Sequence, residues 1–252
     1  MKLQNKVTIV TGSTSGIGEA IARRFLEEGA LVVLSGRSEE RGKALELELN
    51  RKDERVIFVG GDITRAETNR ALVEAAKRSF GGLDILVPCA GSLCLGAITE
   101  ISAETWERGL GTNLTSVYHL LHYGIPELQA RGQGCVVAVG SIAAYRGFPG
   151  HAVYCAAKGG LIPLIRQVAA DYAPTVRANI ICPGPIDTPM LHDSAAAFPD
   201  PEKAISDVAE RTPMKRLGIP TDVASAALFL ASDDSAWING SALDVDGGVM
   251  IN

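Results

Sequence analysis

The sequence has little of what marks several classes of protein. Acidic residues outnumber basic ones by 29 to 24, the formal net charge is −5, and no basic run is long enough to form a patch. Nucleic acid is therefore not an expected partner. No stretch approaches the roughly 18–20 apolar residues of a membrane span, so no membrane association is expected. The N-terminus leads directly into the first predicted strand without room for a signal peptide, and we expect a cytoplasmic protein.

Cysteine is scarce as well, with five residues that are scattered along the chain. An odd number of scattered cysteines is typical of small buried side chains in a reducing compartment. Cys89 and Cys94 lie close together, but no second pair or nearby histidine completes a metal site, so no metal is expected. Linkers, repeats and low-complexity segments are also missing from the sequence. We therefore expect one domain over residues 1–252, long enough to bury a sizeable core.

A strand, a glycine-rich turn and a helix follow one another near the N-terminus. Val7–Val10 is a short apolar run typical of a buried strand, and residues 19–28 have helical periodicity. Gly12, Gly16 and Gly18 lie between them. Such a turn directs backbone N–H groups and the positive end of a helix dipole at one point, which suits a phosphate. An ordinary tight turn is the alternative, but the strand and helix on either side favour a phosphate site.

The rest of the chain alternates between predicted strands and predicted helices. The six further strands are Leu31–Leu34, Val56–Val59, Leu83–Val87, Gly134–Val139, Arg177–Cys182 and Ala242–Val245. The helices include Glu39–Leu49 capped by Ser38, a helix opened by a capping box at Thr64 and Glu67 and reaching Phe80, a long helix from Ser102 to Ala130, Ala152–Tyr172, and Asp222–Ala231 capped by Thr221. This order predicts an α/β fold of the Rossmann type: a doubly wound, seven-stranded parallel sheet with helices on both faces. Ligands are then expected beyond the carboxyl ends of the strands.

The end of the second predicted strand bears on the choice of cofactor. An acidic residue at this place binds the adenosine ribose of NAD, but the sequence here is Ser35-Gly36-Arg37-Ser38. A guanidinium suits the 2′-phosphate of NADP, so NADP(H) is favoured and NAD(H) stays possible. Ser15 in the glycine turn is not basic and does not strengthen this interpretation. The alternative is that Arg37 is only a solvated loop cation.

Four polar residues later in the chain are candidates for catalysis. Tyr154 and Lys158 are four residues apart on a predicted helix and therefore share a face. A nearby ammonium favours the phenolate, so we expect a lowered Tyr154 pKa and proton exchange near neutral pH. Ser141 follows the fifth strand and could hold a substrate oxygen, and Asn113 is a poor helix former within a predicted helix. Each residue also has an ordinary structural interpretation, and the combination with the glycine turn favours the catalytic one.

These motifs together resemble those of the classical short-chain dehydrogenase/reductase family. The resemblance extends over essentially the whole chain, with the motifs in order: Thr11-Gly12-x-x-x-Gly16-Ile17-Gly18, Asp62, Ala90-Gly91, Asn113, Ser141, Tyr154-x-x-x-Lys158, Pro183-Gly184-x-Ile186-x-Thr188 and Asp246-Gly247-Gly248. One departure is Pro88-Cys89 before Ala90, where the family commonly has two asparagines. Because proline lacks an N–H, a local change in strand pairing is expected there.

The resemblance implies a set of roles. Tyr154 would be the catalytic acid/base, Lys158 would lower its pKa and bind the nicotinamide ribose, and Ser141 would orient the substrate oxygen. Asn113 would support a water in a proton relay to Lys158. The cofactor would contact Gly12, Thr14, Ser15, Gly16, Ile17, Gly18, Arg37, Asp62, Ile63, Ala90, Gly91, Tyr154, Lys158, Pro183, Gly184, Ile186 and Thr188. The reaction would be reversible hydride transfer between a nicotinamide and a small-molecule carbonyl or secondary alcohol, in a homotetramer.

Residues 185–216, with five prolines and one or two short predicted helices, are expected to form a substrate-binding loop and lid. Expected pocket residues are Met190, Leu191, His192, Phe198 and Met214 on the lid, and Leu93, Leu95, Ile142, Tyr145, Phe148 and His151 opposite. They do not identify a substrate. Two alternatives to an NADP(H)-preferring enzyme stay open: an NAD(H)-dependent dehydrogenase of the same family, and a non-catalytic nucleotide-sensing protein on this fold.

Overall fold

A single parallel sheet organises the molecule. The computed structural model describes residues 1–51, 54–195 and 198–251. Seven strands lie in the order β3-β2-β1-β4-β5-β6-β7. Their bounds are β1 Val7–Val10, β2 Leu31–Gly36, β3 Val56–Gly60, β4 Ile85–Val87, β5 Gly134–Val139, β6 Val176–Pro183 and β7 Ala242–Val245. Since every pairing is parallel, all carboxyl ends meet at one edge. The predicted doubly wound sheet is confirmed.

Helices cover both faces of this sheet. The bounds are α1 Gly16–Glu27, α2 Glu39–Leu49, α3 Ala66–Phe80, α4 Ala103–Leu110, α5 Ser116–Ala130, α6 Ala152–Tyr172, α7 Pro189–Ala195, α8 Pro201–Arg211 and α9 Pro220–Ala231. Leu72, Leu120 and Leu161 from α3, α5 and α6 belong to the core on one face. Phe25 of α1 and Leu228 of α9 belong to the core on the other. None of the helices in the described ranges is both long enough and apolar enough to cross a membrane.

Several predicted helix boundaries are confirmed. The helix Ala152–Tyr172 has the predicted bounds, and Ser38 caps α2 by accepting the backbone N–H of Arg41. Ser102 caps α4 in the same way. However, the long helix predicted from Ser102 to Ala130 is not uniform. A π-helical turn over Gly111–Thr115 joins α4 to α5, and such turns occur frequently at functional sites.

Two predicted caps are wrong, and nearby carboxylates explain both. The Asp62 carboxylate accepts the Thr64 backbone N–H and hydroxyl, both at 2.9 Å, and the N-cap of α3 is Arg65, one residue later than predicted. The helix predicted from Asp222 begins at Pro220, and Ile219 rather than Thr221 is its N-cap. Here the Asp222 carboxylate accepts the Ile219 N–H at 2.9 Å, and proline suits the first helical turn because it has no N–H to satisfy.

The chain around Pro88 keeps its connection to both neighbouring strands. Strand β4 ends at Val87, but the Pro88 carbonyl accepts the Val139 N–H of β5 at 2.9 Å. The next two N–H groups donate to the Thr11 hydroxyl at 3.0 and 3.1 Å. The missing N–H of Pro88 therefore coincides with the end of the strand, and the Thr11 hydroxyl continues the link to the β1 side.

Candidate active site

The glycine turn lies between β1 and α1. Gly12 and Gly16 have φ values of +66° and +56°, which side chains other than glycine rarely adopt. A Cβ on Gly18 would lie 2.4 Å from the Gly12 carbonyl oxygen, so glycine allows the helix to start against the turn. Ser15, the N-cap of α1, makes no side-chain hydrogen bond to the first turn of the helix. The helix N-terminus is therefore left able to bind an anion.

A continuous cleft of about 1430 Å³ runs along the carboxyl ends of the strands. Every predicted cofactor residue lines it: Gly12, Thr14, Ser15, Gly16, Ile17, Gly18, Arg37, Asp62, Ile63, Ala90, Gly91, Tyr154, Lys158, Pro183, Gly184, Ile186 and Thr188. Strand β2 is three positions from β5 in the sheet, or about 14 Å at the usual strand spacing. Residues distant in sequence therefore meet along one groove, and the residues at the β2 end are separated from those at the β5 end.

The β2 end of the cleft is cationic. Arg37 is exposed and lines the cleft, and so does Arg41 one turn further along. Asp62 lies on the same side of the groove, and the hydrogen bond from the Thr64 N–H holds the pKa of its carboxyl below the usual range, with a smaller effect from Arg37. Arg41 was not identified from the sequence. Its position in the sequence could have identified it, because Arg41 is four residues after Arg37, in the first turn of the predicted helix, and therefore lies near the same strand end.

Ser141, Tyr154 and Lys158 lie together at the β5 end. Ser141 follows β5, its hydroxyl accepts the Ala143 N–H at 3.1 Å, and it lies close enough to the Tyr154 hydroxyl to lower the pKa of that phenol. Lys158 is buried, and its Nζ donates to the Val139 carbonyl at 2.9 Å. That Nζ lies 5.7 Å from the centroid of the Tyr154 ring. The combination predicted from the sequence is therefore assembled at one place.

The expected lowering of the Tyr154 pKa is not found in this structure. Burial raises the pKa of Tyr154 to about 12, although the nearby Ser141 hydroxyl acts in the opposite direction. Burial also lowers the pKa of Lys158 to about 8. Removal from water disfavours both the phenolate and the ammonium, and it is the largest cause of each shift. The phenol therefore keeps its proton at neutral pH.

Asn113 lies behind the cleft within the π-helical turn and is fully buried. Its amide donates to the carbonyls of Ser92 and Gly109, both at 2.9 Å, and its oxygen accepts the Ser92 N–H at 3.1 Å. A Cβ built on Gly91 would lie 3.0 Å from the Asn113 oxygen and 3.8 Å from Lys158 Nζ. Asn113 therefore fixes the segment that lies beside the lysine.

The substrate side of the cleft matches the expected lining only in part. Leu93, Ile142, Phe148, His151, Met190, Leu191 and Phe198 line it. Leu95, Tyr145, His192 and Met214, which were also expected, do not. The Tyr145 hydroxyl instead donates to Cys182 Sγ at 3.4 Å, and His192 Nε2 lies 2.8 Å from the Asp187 carboxylate. These contacts direct both side chains to partners outside the groove.

The two ends of segment 185–216 are joined at its base. The Asp187 N–H donates to the Gly218 carbonyl at 2.8 Å, and the Gly218 N–H donates to the Pro185 carbonyl at 3.0 Å. Arg216 and Asp222 form an ion pair beside them. The two helices between these ends, α7 and α8, contribute apolar side chains to the cleft. The described parts of the segment, residues 185–195 and 198–216, are thus tied to each other at this base, and the Met214 N–H also donates to the Gly247 carbonyl at 3.3 Å. Residues 196 and 197 of the predicted lid lie outside the described residues.

The residues present fit a nicotinamide dinucleotide. The uncapped N-terminus of α1 suits a pyrophosphate, and the cleft continues from there to Arg37 in one direction and to Tyr154 in the other. By contrast, no group of three or more histidine, cysteine or carboxylate side chains suited to a metal occurs in the described ranges.

Comparisons with known proteins agree with this geometry. A family described as "Enoyl-(Acyl carrier protein) reductase" matches residues 12–250. The chain is 35% identical to a 3-oxoacyl-(acyl-carrier-protein) reductase, FabG, of Haemophilus influenzae, over 99% of this chain and 100% of that one. It is 36% identical to dehydrogenase/reductase SDR family member 4 of Mus musculus, over 98% and 88%. Among solved structures, the ligand-free aldohexose dehydrogenase of Thermoplasma acidophilum superposes with a TM-score of 0.91 at 33% identity, over 99% and 96%.

Proposed function

Because this chain belongs to the classical short-chain dehydrogenase/reductase family, we propose that it is an NADP(H)-preferring enzyme with Tyr154 as its acid/base. Family membership makes it an oxidoreductase that uses NAD(P) and acts on carbonyl or alcohol substrates. The observation that carries the proposal is the meeting of Ser141, Tyr154 and Lys158 in the cleft that begins at the glycine turn. A nucleotide sensor would not need this trio.

The chain's own residues hold the substrate and move a proton. The bound nicotinamide supplies or accepts the hydride. The Ser141 hydroxyl orients the substrate oxygen, and the Tyr154 phenol donates its proton to that oxygen as the carbonyl carbon is reduced. With its pKa raised to about 12, Tyr154 is protonated at neutral pH and suited to the reductive direction. In the oxidative direction, the deprotonated Tyr154 oxygen takes the proton from the alcohol.

Lys158 and Asn113 support this proton transfer. The Val139 carbonyl holds Lys158 in place. We propose that Lys158 binds the nicotinamide ribose and stabilises the negative charge that develops on Tyr154. Asn113 would maintain a water that returns a proton towards Lys158. Its buried position next to Gly91, behind the lysine, supports this role.

The preference for NADP(H) rests on the charges at the β2 end of the cleft. Arg37 and Arg41 line this end, and strand β2 ends without a carboxylate in the sequence Ser35-Gly36-Arg37. Two guanidinium groups favour a 2′-phosphate over a ribose hydroxyl. We assign segment 185–216 as the substrate loop and lid, and we propose that the whole chain acts as one domain within a homotetramer.

The test is NADPH oxidation, measured beside NADH, with a panel of ketones, aldehydes and β-ketoacyl thioesters. The wild type should turn over at least one class and prefer NADPH. Tyr154→Phe should lower kcat by about 10²–10⁴-fold while leaving NADPH binding nearly unchanged. Tyr118→Phe, which alters an exposed tyrosine, is the matched control. Tight NADPH binding with no turnover of any substrate would instead favour the nucleotide sensor.

A further inference from the structure

We propose that the substrate carries a carboxylate, separated from the reacting carbonyl by an apolar chain or ring, and that Arg146 binds this carboxylate. The inference rests on the proposed reaction at Tyr154 and adds a class of substrate to it. Arg146 lies between Ser141 and Tyr154 in the sequence, and it lines the cleft.

An aromatic ring holds the Arg146 guanidinium in place. Its Cζ lies 5.2 Å from the centroid of the Phe148 ring, within the range of a cation–π contact. Phe148 also lines the cleft. A guanidinium stacked on a ring keeps its N–H groups free at the edge of its plane, where they can bind both oxygens of a carboxylate.

A row of rings connects this guanidinium with the proposed acid/base. The Phe148 and His151 ring centroids are 6.1 Å apart, and those of His151 and Tyr154 are 6.3 Å apart. All three rings line the cleft. A substrate whose oxygen is at Tyr154 can therefore extend along these rings towards Arg146. The length of the row favours a spacer of several carbon atoms.

The guanidinium has no acidic partner of its own. Within the described ranges, no carboxylate lies within 4 Å of Arg146. Cations away from the cleft are often paired, as the ion pairs of Lys2, Arg23, Arg24, Lys43, Lys77, Arg131 and Arg216 show. Arg146 is therefore positioned by Phe148 and left free to bind an anion.

Other charged side chains line the same cleft, and they provide controls. The acidic ones on the substrate side are Glu107, Asp200 and Asp207, and Asp200 already caps α8 by accepting the Lys203 N–H at 3.0 Å. The basic ones on the substrate side are Arg108 on α4 and Lys203 and Arg211 on α8. Cation–π contacts within the described ranges involve none of these three. Arg146 is thus the cation with a fixed place beside the row of rings.

The experiment measures NADPH oxidation with methyl ketones that carry a terminal carboxylate on a spacer of one to six methylenes, each compared with its methyl ester. In the wild type, kcat/KM should favour the acid over the ester by roughly tenfold or more at the longer spacers. Arg146→Gln should remove this preference mainly by raising KM for the acid, and Arg146→Lys should restore part of it. Raising the ionic strength should weaken the preference, because salt screens the ion pair.

Two control variants define the outcomes that would overturn the proposal. Arg78→Gln changes an exposed cation on α3 outside the cleft. Arg108→Gln changes a cation that lines the cleft and takes part in none of the cation–π contacts of the described ranges. Both should keep the preference for acids. Equal kcat/KM for acid and ester in the wild type, or a loss in Arg108→Gln as large as in Arg146→Gln, would overturn the assignment. If the assignment of Arg146 fails, turnover of the methyl esters that is lost in Tyr154→Phe would still support the proposed reaction at Tyr154.

Discussion

At the scale of single residues, burial changes the chemistry more than sequence neighbours do. The spacing of Tyr154 and Lys158 correctly predicted that the two side chains lie together, because helical geometry is local. The spacing could not predict their pKa values. The depth at which Lys158 is buried depends on β5 and on the segment at Gly91, which come from distant parts of the chain. Which residues meet was predictable, but their protonation was not.

Lys158→Met should stabilise the protein at pH 7. The lysine pKa falls from 10.5 to about 8 in the folded state. Below pH 8 the lysine is protonated in both states, and burying its charge therefore lowers the free energy of unfolding by about 3 kcal/mol. Loss of the bond to Val139 reduces the expected gain. Between about pH 8 and 10.5 the unfolded chain binds more protons, and wild-type stability therefore rises with pH relative to the variant. Urea unfolding of the wild type and Lys158→Met at pH 7 and pH 9.5 measures the difference in their free energies of unfolding. A stability advantage of Lys158→Met that grows from pH 7 to pH 9.5 would contradict this account.

Arg37→Asp should shift cofactor preference towards NAD(H). A carboxylate at the end of β2 repels the 2′-phosphate and can accept a hydrogen bond from a ribose hydroxyl. The ratio of kcat/KM for NADPH to that for NADH should fall by roughly tenfold or more. Arg78→Asp on α3 makes the same charge change outside the cleft and should leave the ratio unchanged. If both variants give the wild-type ratio, Arg37 does not contact the phosphate.

At the scale of elements, patterns of period and turn located most of the secondary structure. Gly134–Val139 and Ala152–Tyr172 have the predicted bounds because apolar runs and helix signals are read over many residues. The starts of α3 and α9 were misplaced by one or two residues. A carboxylate nearby competes for the N–H groups at each start, and the pattern does not decide which acceptor they take. The π-helical turn was not predicted, although Asn113, a poor helix former, lies within it.

Asn113→Ala should lower both stability and activity. The change leaves the Ser92 N–H and two carbonyls without their amide partner, for which about 1–3 kcal/mol of unfolding free energy is expected to be lost. It also frees the segment beside Lys158, so kcat should fall. Asn179→Ala is the matched control, because this buried amide links β6 to the chain entering β7. The free energy of unfolding and kcat are measured for both variants. Both should lose stability, but only Asn113→Ala should lose kcat; an equal loss of kcat in Asn179→Ala would contradict a specific role of Asn113.

At the scale of the whole molecule, topology explains why so much of the site was predictable. Parallel strands bring the residues after β1, β2, β4, β5 and β6 to one edge regardless of their separation in sequence. The lining of the substrate side was less predictable, since Tyr145 and His192 find partners that depend on how segment 185–216 folds back. A backbone hydrogen bond between Asp187 and Gly218 fixes the base of this segment, and the pattern of side chains in the sequence does not predict it. Assembly is a further property of this scale.

The proposed homotetramer can be tested through helix α6. Ala156 is exposed on this helix while the neighbouring Ala157 is buried, so a small surface residue lies where close packing by another copy is possible. Light scattering should give a mass about four times the 26.5 kDa of the chain. Ala156→Arg should reduce this mass, because a long charged side chain blocks close approach. Ser79→Arg, at an exposed position on α3, adds the same charge and should leave the mass unchanged. A wild-type mass of one chain would contradict the tetramer, and a full-size Ala156→Arg assembly would place the interface elsewhere.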